Sequence, residues 1–451
     1  MRPDVTTAYL ELARPGGPFA GLMDRVAIPP GIRARDVRGL LSRPLFLAEE
    51  KARRAGADMR FLFDLLVSLP DRLFEGDFAA YGRALGLTEA QISLAGRTRV
   101  AEPTVFGRGD LYLRGGELKL LEFNLGSSIG GMEWVDINRA LLAAPEFARF
   151  AEEHELGFHD PLAAIAAELT RHARRETGGE RPLVVLTDWP GSYEHHIESF
   201  EMLAERLDGP ALEVRSCAMG ELRASADGVF LHGAKVDLLY RFFGLKEIAG
   251  TAGGFELAEP FLLAHEARTT PMFLPFEYSL YSNKRSLAML SDERNRQVFA
   301  ADELAVIDRI LPWSRPLVPG EVVSPEGRVD LFDYCRARRT GLVLKPSSGF
   351  SAGGIVPGWA CDERTWLDTL TYAASHSFVV QERVSPDPEP FREPGDDAIS
   401  DFAVNWGLYV FGDGYAGGMT RGMPSENDPV IGGVAAMIGC LFHHPEAGCP
   451  K

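Results

Sequence analysis

Residues 107–131 read GRGDLYLRGGELKLLEFNLGSSIGG, and this stretch decides the fold. Apolar residues alternate on both sides of Gly115-Gly116, which predicts two strands joined by a glycine turn. A Gly/Ser loop, Gly126-Ser127-Ser128-Ile129-Gly130-Gly131, follows, then a helix through Asn138 and Leu142. Glu122 and Asn124 are two apart on one strand, so both side chains leave the same face. If the turn pairs the strands, Asp110 comes alongside them. Two carboxylates and an amide oxygen make a hard-oxygen set suited to Mg²⁺. The same residues also suit a solvated polar face on an edge hairpin. Arg108 shares the face of Asp110, as a salt-bridge partner or as a clamp for a transferring phosphoryl group.

Further along, GLVLKPSSGFSAGGI (341–355) is an apolar strand followed by a small polar loop. The loop (Ser347, Ser348, Gly349, Ser351, Gly353, Gly354) can turn backbone N–H groups toward an anion, and Lys345 can reach a phosphate. The order strand–lysine–loop is not that of a Walker A loop, and an ordinary hairpin turn has the same composition. Only seven lysines occur in the chain, at 51, 119, 235, 246, 284, 345 and 451. A lysine kept inside a motif therefore points to a need for a compact ammonium. Lys284 is a second case, because Ser282-Asn283-Lys284 opens a helix predicted over 283–290. The strand SFVVQERV (377–384) turns polar at Gln381-Glu382. A strand with its backbone free on one edge, near such an amide or carboxylate, can read adenine; core FVV and surface QER explain the same letters. Gly417-Gly418-Met419-Thr420-Arg421, followed by Gly432-Gly433-Val434-Ala435-Ala436, suits a loop folding over a ligand or a tightly packed connection.

Outward from these motifs, residues 1–100 read as mainly helical. FLAEEKARRAGADMRFLFDLLVSL (46–69) and DFAAYGRALGL (77–87) space apolar residues by three and four. Residues 101–180 hold the hairpin and its Gly/Ser loop. In 181–265, RPLVVLTDWPG, IESFEMLAERL, LEVRSCAM and KVDLLYRF alternate strand, helix, strand and strand, predicting a small α/β domain with parallel strands. Residues 266–451 mix a helix, strands and glycine-rich connections, and SPDPEPFREPGDD (385–397) reads as a mobile loop.

The 451 residues are 45% apolar and 25% charged, so a core can form without disulfide or metal staples. A net charge of −17 argues against sequence-independent binding to nucleic acid or anionic membranes. Cys217, Cys335, Cys361, Cys440 and Cys449 form no CxxC, so a reducing cytoplasm is expected. The start, MRPDVTTAYLELARPGG, lacks a signal-peptide core, and no apolar run of about 18 residues predicts a membrane span. Cys440, His443, His444 and Cys449 could ligate zinc, although their spacing fits no common finger. His195-His196 reads as a polar helix start rather than a catalytic base.

Taken in order, the motifs resemble the circularly permuted ATP-grasp ligases, which include eukaryotic-type glutathione synthetase and bacterial glutathionylspermidine synthetase. RGDLYL and LLEFNLGSSIGG look like the family's Arg-x-Asp and Glu-x-Asn strands. YSNKRSLAML resembles its Ser-Asn-Lys helix start, and LVLKPSSGFSAGGI its strand–Lys-Pro–glycine loop. MTRG with GGVAA looks like its substrate arginine and alanine-rich lid. The resemblance spans roughly 105–140 and 275–440. It implies an ATP-grasp fold with mixed antiparallel sheets; with the small parallel domain and the helical N-terminal region read above, the expected fold class is α/β (α+β). It implies ATP and Mg²⁺ as cofactors, with Asp110, Glu122 and Asn124 on the metal. Lys284 and Lys345 would grip phosphates, and Gln381, Glu382 and Val384 would face adenine. Arg108 and Arg421 would stabilise an acyl phosphate or substrate carboxylate, with Ser127 near the substrate. One departure stands out: the family's glycine loop carries an acidic residue where this chain has Gly349-Phe350-Ser351.

The implied reaction is amide formation from a carboxylate and an amine through an acyl phosphate, releasing ADP and phosphate. The substrates would be of the amino-acid, peptide or polyamine class, in a cytoplasmic protein with no nucleic-acid or membrane partner; a homodimer stays open. A phosphotransferase on the same fold and a catalytically silent scaffold are the rival expectations.

Overall fold

The computed structural model describes residues 4–26, 32, 38–178, 180–349, 353–392, 397–426, 429–431 and 435–445. Its central sheet grows from the hairpin. Strands Gly107–Arg114 and Glu117–Leu125 pair antiparallel, and the sheet runs on through Ile399–Phe411, Gly414–Pro424 and Met437–Gly439. Side-chain alternation gives this sheet two faces. Gly109 lies against the long helix Glu49–Phe74, where an added Cβ would sit 2.2 Å from Met59 Sδ. Arg108, Asp110, Asn405 and Arg421 take the other face and line a cavity.

The long helix buries Ala52, Ala55, Met59, Leu62, Phe63, Leu66 and Leu69, a stripe at three- and four-residue spacing. Truncating Leu62 or Phe63 to Ala would cost about 2–5 kcal/mol. Gly56 permits the close approach to strand Gly414–Pro424, since a Cβ there would meet Tyr415 Cβ at 2.8 Å.

A second antiparallel sheet has the order Ser314–Pro316, Phe378–Glu382, Leu342–Pro346, Val356–Pro357. Leu342, Leu344 and Val380 pack with Trp366 and Leu370 of helix Glu363–Ala373. Val343, Lys345 and Gln381 therefore face the cavity. Strand 378–382 has partners on both sides, so its backbone is not the free edge expected from the sequence.

A third sheet is parallel: Glu213–Ser216, Leu183–Thr187 and Leu238–Arg241, the last two registered as Thr187 with Arg241. KVDLLYRF is not one strand. Ala234–Lys235 closes a separate antiparallel sheet with Leu222–Ser225 and Gly228–Leu231, and Asp237 turns the chain by pairing with both ends of Leu183's amide environment, its backbone N–H donating to Leu183 O and its carboxylate accepting from Leu183 N–H.

Two other expectations change. The supposed mobile loop 385–397 contains strand Glu389–Arg392, paired with the start of Ile399–Phe411; 393–396 lie outside the described residues. Gly417–Arg421 is strand, not a closing loop, and Gly418 is packed so tightly that a Cβ would come 2.7 Å from Leu441 Cδ2. Gly432–Val434 lie outside the described residues. Among the described residues no helix is long and apolar enough to cross a membrane.

Among the described residues of 1–100 the regular elements are helices apart from strand Leu45–Ala48, which pairs parallel with Leu441–His444. His443 sits at this seam. Its Nδ1 faces Leu47 O at 3.3 Å and its Nε2 lies 2.8 Å from Tyr415 OH. A carbonyl only accepts, so Nδ1 holds the proton and Nε2 accepts from the phenol. The surrounding titratable groups include Glu49, 4.0 Å away, His159, which itself bonds Glu49 at 2.8 Å, and the adjacent His444. Among the described residues no group of three acidic, histidine or cysteine side chains could hold a metal. Cys440 is buried in the core, and Cys449 lies outside the described residues.

Burial pushes the His443 pKa down from 6.5 to about 4, against the pull of Glu49. A depressed histidine gives stability that is complete above its unfolded pKa and lost as pH falls toward the folded one. Melting curves by circular dichroism from pH 7 to pH 4 are expected to show His443→Gln losing stability less steeply than the native chain. Parallel pH profiles would refute this role.

Candidate active site

The hairpin reaches its functional register through a bulge. Beside the turn, Arg114 pairs with Glu117, Tyr112 with Lys119 and Leu111 with Leu120. Continued unbroken, that register would set Asp110 opposite Leu121, leaving Glu122 on the far face. Instead Leu121 is an extra residue, and Asp110 pairs with Glu122 and Arg108 with Asn124. Directly paired residues share a face, so all four charged and amide side chains point into one cavity. The residue a bulge inserts leaves its own ladder position unpaired. Leu121 O accepts from Lys345 Nζ at 3.2 Å and from Gln381 Nε2 at 3.4 Å. The bulge thus joins the first sheet to the second.

The cavity holds about 1080 Å³. On its floor, Arg108 Nε donates to Asp110 Oδ1 at 2.9 Å, Asn124 Nδ2 donates to Asp110 Oδ2 at 3.2 Å, and Arg421 Nη2 lies 3.7 Å from Asp110 Oδ1. Burial raises the Asp110 pKa, but Arg108 and Arg421 outweigh it and hold the carboxyl below its usual value. Burial lowers the Arg421 pKa, and its Nε has no hydrogen-bond partner among the described residues. Arg108 Nη1 also donates to Gly130 O at 3.0 Å, as does Tyr409 OH at 2.9 Å, which ties the Gly/Ser loop to the floor.

Lys284 begins helix Lys284–Leu290, where Asn283 caps by accepting from Arg285 N–H at 2.9 Å. Its Nζ bonds Glu122 Oε1 at 2.9 Å and Gly349 O at 3.4 Å. Lys345 differs. It is 7% exposed, donates to Gln381 Oε1 at 2.7 Å and has no carboxylate in ion-pair range among the described residues. Burial drives its pKa down to about 8, reinforced by Lys284 and opposed by Glu122 and Asp110. A desolvated ammonium held by neutral partners leaves room for an anion.

The other expected site residues are placed as follows. Glu382 and Val384 line the cavity, and Glu382 Oε1 accepts from Trp313 N–H at 3.1 Å. Ser127 is buried, with its Oγ accepting from Arg241 Nη1 at 3.3 Å; its neighbour Ser128 lines the cavity. Ser347, Ser348, Gly349, Gly353 and Gly354 do not line it. Ser347 N–H already donates to Ser377 O at 2.8 Å, so that amide is not available to an anion, while Ser347 O receives Lys284 N–H at 2.9 Å. Ser351 lies outside the described residues.

Three participants escaped the sequence reading. Asn405 pairs with Arg421 across the strands, lines the cavity and has a buried Oδ1 with no partner among the described residues. Arg241 is buried against the Phe276 ring at 3.7 Å and bonds the carbonyls of Phe243 and Leu274 as well as Ser127. Its signal was visible, an arginine inside the apolar run LLYRFF. Asp188 also lines the cavity from the parallel sheet.

The two lysines should respond oppositely to neutral replacement. Lys284→Met strips Glu122 of its cation and is expected to destabilise by about 1–3 kcal/mol. Lys345→Met should leave stability unchanged or raise it, because an ammonium with a depressed pKa disfavours the folded state at every pH below about 8. Urea unfolding at pH 7 checks both; equal losses would contradict the asymmetry.

No family model and no curated protein matches the sequence. Solved structures align with the fold. A glutathione synthetase-like effector from Globodera pallida, in its apo form, aligns with a TM-score of 0.57 and 13% identity over 90% of each chain. A putative gamma-glutamylcysteine synthetase from Methylobacillus flagellatus KT aligns with a TM-score of 0.43 and 13% identity over 92% of each. D-alanyl-alanine synthetase A from Vibrio cholerae O1 gives a TM-score of 0.26 and 10% identity over 59% of this chain and 89% of that one. The mixed α/β chain therefore shares the fold of the glutathione synthetase-like effector.

Proposed function

We propose that the chain is an ATP-grasp ligase that joins a carboxylate to an amine, releasing ADP and phosphate. One observation carries the reading: Asp110, Glu122 and Lys345 line one cavity, and Lys284, outside its lining, bonds Glu122 at 2.9 Å, so three distant segments converge there. The unpaired buried ammonium of Lys345 supports an anionic ligand there, and a nucleotide's phosphates supply one. Gln381, Glu382 and Val384 beside it would face the base. The same reading takes the hairpin region 101–180 and residues 266–451 as the nucleotide-binding core, 181–265 as a substrate domain and 1–100 as a helical buttress, in a cytoplasmic protein.

The donor set suits a hard divalent ion, since Asp110, Glu122 and Asn124 share one face and offer two carboxylates and an amide. Bound Mg²⁺ would be held by these three and would neutralise phosphate charge. The chain's own groups do the rest. Lys345 and Lys284 would orient the triphosphate. A substrate carboxylate oxygen attacks the terminal phosphorus, and ADP leaves. The amine nitrogen then attacks the acyl carbon, loses a proton, and phosphate departs. Arg108 and Arg421 would stabilise the charge that develops on the transferred group. Positioning supplies much of the rate, because no enzymic nucleophile is needed.

The loop Gly349-Phe350-Ser351, without an acidic residue, favours a silent scaffold as the second reading. Calorimetry with MgATP separates the two, since a scaffold need give no heat.

Glu122→Ala and Arg421→Ala are expected to fold and to lose turnover about 10²–10³-fold. The assay is ADP release from MgATP over a matrix of acids and amines, with mass spectrometry of the product. ADP release that needs only one organic substrate would make the chain a phosphotransferase. Full activity of Glu122→Ala without added metal would overturn the metal assignment.

A further inference from the structure

The parallel sheet ends at the cavity. Its strands Leu183–Thr187 and Leu238–Arg241 finish side by side, Thr187 registered with Arg241. The next residues are Asp188 and Phe242, and Phe242 N–H donates to Thr187 O at 2.9 Å. Both line the cavity, together with Ser192, Phe200 and Leu203. Carboxyl ends of parallel strands are where open α/β sheets receive ligands.

Asp188 is unlike the other carboxylates of the cavity floor. Asp110 has Arg108, and Glu122 has Lys284. Asp188 accepts only from Trp189 N–H at 2.8 Å and Ser192 O–H at 2.6 Å, with no cation in ion-pair range among the described residues. Burial holds its pKa above the usual carboxylate value. Glu198, at the start of helix Ile197–Leu207, lines the cavity too and has no ion pair among the described residues. The surrounding wall is apolar: the Phe200 and Phe242 rings meet edge to face with centroids 4.9 Å apart. Trp134, 9% exposed, also lines the cavity and has an indole N–H without a partner among the described residues.

We infer that Asp188 seats the ammonium group of an organic substrate, and that Phe200, Leu203 and Phe242 select one with an apolar body. This rests on the ligase reading above and names the class of its amine-bearing substrate. The half-buried carboxylate gains the cation it lacks, and an apolar body covers the aromatic wall that a hydrophilic polyamine would leave wet.

The test is a titration of the full chain, without nucleotide, by calorimetry. Phenethylamine is the probe, phenethyl alcohol its neutral counterpart, and spermidine a cation without an apolar body. The expected result is binding of phenethylamine in preference to both others, weakened about tenfold or more in Asp188→Asn. Phenethylamine should lose its advantage over butylamine in Phe242→Ser. Unligated melting curves of both variants confirm folding. No binding of phenethylamine, equal binding of the alcohol, tighter binding of spermidine, or native affinity in Asp188→Asn would overturn the inference. The ligase reading fails separately: amine binding without ADP release for any acid would remove it and leave the ammonium seat. ADP release with native kinetics in Asp188→Asn would do the reverse.

Discussion

The two-residue turn at Gly115-Gly116 and the charged face of the hairpin demand registers that differ by one residue, and the bulge at Leu121 reconciles them. A one-residue slip in a sheet sends every side chain to the opposite face. Without the extra residue, Arg108 and Asp110 would point to the cavity and Glu122 and Asn124 to the long helix, or the reverse. Either slip would press one carboxylate, Glu122 or Asp110, against the helix face that holds Met59, desolvated and parted from the other acid. The bulge therefore decides both the core and the cavity floor. It also hands the Leu121 carbonyl to Lys345 and Gln381, so the second sheet is docked by the same irregularity.

The charges gathered there are balanced unevenly. Arg108 and Asp110, and Lys284 and Glu122, already form pairs at 2.9 Å. Lys345 and Arg421 carry the strain of burial, their pKa values lowered by desolvation. Removing one partner of a buried pair costs far more than the pair itself contributes. The paired groups thus hold the architecture, while the under-satisfied ones remain available to a ligand. A protein selected for stability alone would replace Lys345 by an apolar side chain of similar volume.

Much of this was legible in the residues. The hairpin, the Ser-Asn-Lys helix start, the apolar strand ending in Lys345 and the parallel sheet all follow from period and turn chemistry. The bulge was not legible, because Leu120-Leu121 looks like ordinary strand and only the clash of two registers reveals it. Strand Glu389–Arg392 was hidden by its prolines, which an outer strand tolerates. The free edge expected at Phe378–Glu382 failed because Ser314–Pro316, a three-residue strand containing proline, gave no sequence signal. Asn405 and Asp188 were missed for a common reason: each acts through groups brought near by tertiary folding, and neither belongs to a local motif.

The parallel pairing of Leu45–Ala48 with Leu441–His444 has a consequence for biosynthesis. The long helix is translated well before the strands it must cover, 399–411 and 414–424, and before the strand that clamps its entrance. The part of its apolar stripe that these strands cover must wait unburied while the intervening segments are translated. Such distant contacts slow folding and leave hydrophobic surface open to association in the meantime. The nascent chain thus stays open to association until the later strands cover the stripe.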